Sequence, residues 1–152
     1  MADKSGLALG FAANWLKVNG EEYGMTDADL AVLIVVRHGT TPFAFNQAMW
    51  TKYGTIFAAN MSTTNKALNP NPSANPYAGR LSEHSKHGLR LAVCEMTTRA
   101  YVQIIAKETQ ATEQAVQQEL LANAIGAARF VGAGILAVTR AQERGYALAS
   151  IS

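Results

Sequence analysis

The stretch Leu89-Arg90-Leu91-Ala92-Val93-Cys94-Glu95-Met96 decides how the rest of the chain is read. Apart from Arg90, its first five residues are aliphatic, and Gly88 precedes it, which predicts a buried strand over Leu89 to Val93. The strand ends in the only cysteine of the chain, Cys94. A helix is expected to open at Thr97 or Thr98. A thiol in that position lies beside a helix N-terminus, where backbone N–H dipoles stabilise a thiolate.

Upstream, Leu30 to Val36 is a continuous aliphatic run without alternation, as in a strand covered on both faces. Before it, Leu7 to Val18 has helical spacing with Gly20 as its stop, and Thr26-Asp27-Ala28-Asp29 reads as a capped turn. After it, Arg37-His38-Gly39-Thr40 is a tight loop. Thr41-Pro42 then predicts a helix that buries Phe45, Met49, Trp50 and Tyr53 and ends at Gly54. Residues Thr55 to Arg80, with Asn69-Pro70-Asn71-Pro72 and Asn75-Pro76, predict a long loop, which in compact domains is a lid, a subunit contact or disorder. A short helix is expected over Leu81 to His87.

Downstream, helices are predicted over Thr98 to Glu108 and over Thr112 to Ala124, the latter closed by Gly126. A strand over Ala128 to Val131, the turn Gly132-Ala133-Gly134, a helix over Ile135 to Arg144 and a last strand over Tyr146 to Ile151 complete the chain. Strands alternating with helices predict a single α/β domain over residues 1–152. Its form is a three-layer sandwich, a small, mainly parallel open sheet with helices on both faces. Such a unit begins with a strand. That strand is expected upstream of Met1, over Lys4 to Leu9, or from a neighbouring subunit.

Composition narrows the function classes. At 152 residues, 49% hydrophobic and 16% charged, the chain is globular, and so little charge favours a homo-oligomer that shares apolar surface. The net charge of +2 is scattered without a Lys/Arg run, which gives no support to nucleic-acid binding. No apolar run is long enough to span a bilayer, so no membrane association is expected. Met1 to Gly6 shows no signal-peptide pattern, and a cytoplasmic location is expected, although a leader lost before Met1 would leave the same sequence.

In a parallel sheet, ligands bind beyond the carboxyl ends of the strands. The loops Arg37 to Thr41, Cys94 to Thr98 and Gly132 to Gly134 are expected to meet there. Cys94 reads either as a nucleophilic or persulfide-carrying thiol or as a small buried hydrophobe. His38 is a candidate catalytic partner for it, or a ring that ties down its own loop. Thr40 and Thr41 offer hydroxyls to an anion, or simply cap a helix. Arg99 either holds an anionic ligand or pairs with Glu95 four residues before it. Gly132 and Gly134 fit G-x-G-x-x-A through Ala137, but the chain beyond is too short for the acidic ribose ligand. They read as close helix–strand packing or as a small-anion site. His84 and His87 lack further metal-ligand spacing, so neither a metal nor a cofactor is expected.

The segments Gly88 to Thr98, Ala128 to Val138 and Arg140 to Tyr146, with Val36 to Thr41 and Asn46 to Tyr53, resemble the DsrE/DsrF-like family. There a strand ends in a cysteine and a later strand leads into a helix closed by Gln-Glu-x-Gly-Tyr or similar. The likeness covers roughly Leu30 to Ile151. It implies a parallel α/β sandwich assembled as trimers or hexamers. It also implies a role in sulfur relay, with a cysteine carrying a persulfide between partner proteins in a sulfurtransferase-like reaction. A different expectation is a non-catalytic, oligomeric module that binds a small ligand or anion and uses Cys94 only for packing.

Overall fold

The computed structural model describes residues 6–61 and 72–149. Among these the elements are α1 (Leu7–Tyr23), β1 (Val32–Val36), a 3-10 segment (His38–Ala44), α2 (Gln47–Ala59) and α3 (Ala78–His84), which runs on into a 3-10 turn (Ser85–His87). There follow β2 (Leu89–Cys94), α4 (Glu95–Thr109), α5 (Glu113–Ala122), β3 (Ala128–Val131) and α6 (Gly134–Glu143). The chain is α/β with a small open sheet of three parallel strands in the order β1-β2-β3. No helix among the described residues is long and apolar enough to cross a membrane.

β2 lies in the middle and is the most buried strand, with only Arg90 exposed, because neighbours cover both of its edges. Leu89, Leu91 and Val93 alternate onto one face, where they pack with Leu9, Ala12 and Leu16 of α1 and Leu81 of α3. Arg90, Ala92 and Cys94 alternate onto the other face, towards α6. A second core joins α2, α4 and α5 through Trp50, Phe57, Tyr101, Ile105, Val116 and Leu120. Gly88 makes the entry to β2 possible. It adopts φ +88°, and a Cβ there would sit 2.5 Å from the Leu30 carbonyl oxygen.

Several boundaries differ from the sequence reading. Leu30 and Ala31 precede β1, whose ladder starts at Val32 opposite Leu89. α1 runs through Gly20 to Tyr23, and Gly24 ends it at φ +64° with its N–H on the Asn19 carbonyl. Leu7 to Leu9, proposed as a strand, are helical, while Lys4 and Ser5 lie outside the described residues. Thr41-Pro42 does not open α2 but sits inside the 3-10 segment. Asn46 caps α2 instead, accepting from the Met49 N–H at 3.3 Å.

Gly54 does not end α2; the helix continues to Ala59. The glycine is needed because a Cβ would overlap the Pro72 carbonyl oxygen. The expected long loop therefore loses Thr55 to Ala59 to α2 and Ala78 to Arg80 to α3, and its residues 62–71 lie outside the described residues. Among the rest, Asn75 is a clamp. Its buried amide donates to the Phe43 and Phe45 carbonyls at 3.0 and 2.8 Å and accepts from the Tyr77 N–H.

α4 starts directly at Glu95, three residues earlier than expected, and α5 ends at Ala122, before Gly126. Thr112 caps α5 as expected, accepting from the Ala115 N–H. The fourth strand is not found where it was expected. Tyr146 to Ala149 are irregular, and Ser150 and Ile151 lie outside the described residues. Gly145, at φ +86°, turns the chain so that the Tyr146 N–H closes onto the Ala141 carbonyl at 3.1 Å. That N–H is used locally instead of in a ladder.

Candidate functional site

Parallel pairing brings the carboxyl ends of the strands to one side of the sheet. Cys94 stands opposite Val131, one position beyond the pair Val36–Val93. The 3-10 segment, α4 and α6 leave from this edge, so the loops at Arg37 to Thr41, Cys94 to Thr98 and Gly132 to Gly134 emerge together.

Cys94 is both the last residue of β2 and the N-cap of α4, in an extended conformation and 7% exposed. It makes no formal capping hydrogen bond. Instead, dipoles gather around its sulfur. Burial pushes the thiol pKa up, but the Thr97 hydroxyl and the backbone N–H groups of Thr97, Gly134 and Met96 together pull it down further. The thiol therefore ionises more readily than an ordinary cysteine. Met96 and Thr97 belong to the first turn of α4, and Gly134 is the first residue of α6. Two helix N-termini thus converge on one sulfur, and each presents positive partial charge.

Thr97 is the residue that the sequence reading missed. It was read as a possible helix start, but it lies in the third helical position, where its Oγ1 faces back to the cap. Its hydroxyl oxygen also accepts from the His38 N–H at 3.3 Å, which leaves its proton for the thiol. The spacing Cys94-x-x-Thr97 parallels a capping box, with sulfur in place of the usual cap oxygen. That spacing was the available signal. Thr98, the other expected start, is buried and donates to the Cys94 carbonyl at 3.0 Å.

The other candidates fall unevenly around the sulfur. His38 takes part through its backbone: it adopts φ +52°, its N–H meets Thr97, and the residue is exposed. Gly134 takes part through its N–H. It is buried, and a Cβ there would press on Val35 and on the Arg37 side chain at 3.2 Å. Gly132 is exposed and nothing crowds it.

Thr40 and Thr41 are turned into their own segment. Thr40 Oγ1 donates to the Arg37 carbonyl and accepts from the Arg37 N–H, and Thr41 is fully buried with no partner for its Oγ1 among the described residues. Arg99 is exposed and is held by Glu95 at 2.5 Å, as helical i,i+4 spacing allows. His87 meets Asp27 at 2.8 Å and lies away from this edge. Among the described residues, no group of three or more His, Cys, Asp or Glu side chains is placed to hold a metal ion.

No protein-family model, no curated protein and no solved structure matches the chain.

Proposed function

We propose that the chain is a DsrE-like sulfur-handling protein in which Cys94 carries a sulfane sulfur as a persulfide. The observation that supports this most is the convergence of two helix N-termini and the Thr97 hydroxyl on the Cys94 sulfur. A persulfide carrier has to keep its sulfur anionic before loading and after unloading, and such a cage favours the anion.

In the loading step the Cys94 thiolate attacks the terminal sulfur of a donor persulfide. An Sγ–S bond forms, the donor S–S bond breaks, and the donor thiolate leaves with the electron pair. Unloading is the same exchange towards an acceptor thiolate, so there is no net oxidation. The thiolate that Cys94 regains is the species the four donors favour.

The finer parts of the reading belong to the same proposal. The sheet is the middle of a three-layer sandwich with helices on both faces. The protein acts as a homo-oligomer, a trimer or hexamer, that exchanges sulfur with a relay protein partner in the cytoplasm. In place of the imidazole of His38 and the guanidinium of Arg99, backbone N–H groups and Thr97 support the anion.

Intact-mass measurement after polysulfide treatment and removal of excess reagent tests the reading. Wild-type protein is expected to gain the mass of one sulfur atom that a thiol reductant removes, and C94A is expected to gain none. Equal mass gain by C94A, or no gain by wild type, would rule the reading out.

A further inference from the structure

We infer that the cleft between the C-terminal half of α6 and the amino-terminal half of the sheet binds a small organic anion, a phosphate or carboxylate joined to a short apolar body. The cleft has a volume of about 270 Å³, and its apolar surface comes from Leu33, Ala92, Val131 and Ala137. Arg90, Arg129, Arg140 and Arg144 line it, four of the seven arginines in the chain. Among the described residues no carboxylate lines it. Glu143, outside the lining, pairs with Arg140 at 2.7 Å.

Helix chemistry accounts for only half of this cluster. Arg140 and Arg144 sit at the C-terminal end of α6, where the helix dipole favours cations. Arg90 and Arg129 are on strands, and no helix end explains them. Ala92 pairs with Arg129, so Arg90 and Arg129 share one sheet face, two positions apart in register.

Each of these two arginines is held by backbone carbonyls at and just before the start of its own strand. Arg90 Nη1 donates to the Ser85 and Leu89 carbonyls, and Arg129 Nη1 donates to the Gly126 and Ala128 carbonyls. Among the described residues, their remaining N–H groups meet no protein acceptor. The guanidinium groups are thus fixed in place with donors to spare, an arrangement suited to bidentate capture of a carboxylate or phosphate. With Arg140 offset by Glu143, the three other like charges around the cleft repel one another until an anion enters. The apolar floor and the small volume suit a compact carbon body on that anion.

The arginine end of the cleft is remote from the thiol, although Val131, the register partner of Cys94, lines its other end. Arg90 and Cys94 lie four residues apart on β2, about 13 Å along an extended strand. The inference stands whether or not Cys94 carries sulfur.

An amide NMR titration of the full chain with phenyl phosphate, benzoate and phenol tests it. One or both anions are expected to shift the amide signals of Ala92, Val131, Ala137 and Arg144 saturably, and phenol to leave them in place. R129Q and R144Q, both at exposed positions, are each expected to weaken binding about tenfold while keeping a folded spectrum. C94A is expected to bind as wild type does. Absence of saturable shifts with both anions would overturn the inference. So would equal shifts with phenol, or affinities unchanged in both arginine variants.

Discussion

Thr97 controls the ionisation of Cys94 more directly than any other side chain, because its hydroxyl both faces the sulfur and is oriented by the His38 N–H. T97V keeps the shape and removes the dipole. It is expected to raise the Cys94 pKa and to slow alkylation at neutral pH, with T97S close to wild type, as rates of iodoacetamide labelling against pH would show. H38A leaves the His38 N–H in place and is expected to give the wild-type profile. The lowered pKa also links to stability. A thiol that ionises more easily when folded adds stability that is full above the unfolded pKa and is lost as the pH falls through the folded one. Denaturant titrations of wild type and C94A should therefore diverge as pH rises through the thiol range. Thr41 is the converse case. Its buried hydroxyl has no partner among the described residues, so T41V is expected to be neutral or to stabilise by about 1 kcal/mol in the same assay. Cys94 was legible in the sequence because a strand pattern runs directly into it. The roles of Thr97 and the Gly134 N–H were hidden because they depend on where α4 starts and on how α6 packs beside it.

At the scale of elements, Asn75 joins the segment after residue 71 to the 3-10 segment by two hydrogen bonds to buried carbonyls. N75A strands both acceptors and is expected to cost about 2–3 kcal/mol by denaturant unfolding. A loss under half of that would show that the segment holds without the clamp. The turn before β1 is tied to the one before β2 by His87 and Asp27. Hydrogen bonding to Asp27, then its charge, raises the His87 pKa, with a smaller push from Glu83. This contact therefore helps below the unfolded histidine pKa and is lost as pH rises through the folded one. An NMR titration should place His87 above an ordinary histidine, and D27N should bring it down; an unchanged midpoint in D27N would break the link. β1 and β2 were legible as largely aliphatic runs, β3 as a short strand ahead of the Gly132-Ala133-Gly134 turn, and Thr112 as a cap. The 3-10 segment and the extent of α2 were not. Thr41-Pro42 has the local chemistry of a helix start, and only the packing of Pro72 against Gly54 shows why a glycine belongs within a helix.

At the scale of the whole molecule, α1 buries Leu9, Ala12 and Leu16 and leaves Leu7, Phe11, Trp15 and Val18 exposed at spacings of one helix face. In the proposed homo-oligomer this face is shared between copies. Light scattering should then give a mass above the monomer for wild type and the monomer mass for F11E/W15E, with both proteins folded. A wild-type monomer would remove oligomerisation from the proposal. The α/β class was legible from alternating strand and helix patterns, but Tyr146 to Ala149, strand-like in composition, pair with no strand among the described residues, and the Tyr146 N–H is spent on the Ala141 carbonyl. The central claim is that the ends of two helices hold the Cys94 sulfur as an anion. Thiolate absorbance of the folded wild-type protein, followed against pH with C94A subtracted, tests it most directly. A midpoint below that of an ordinary cysteine is the predicted result. A midpoint at or above it would contradict the account.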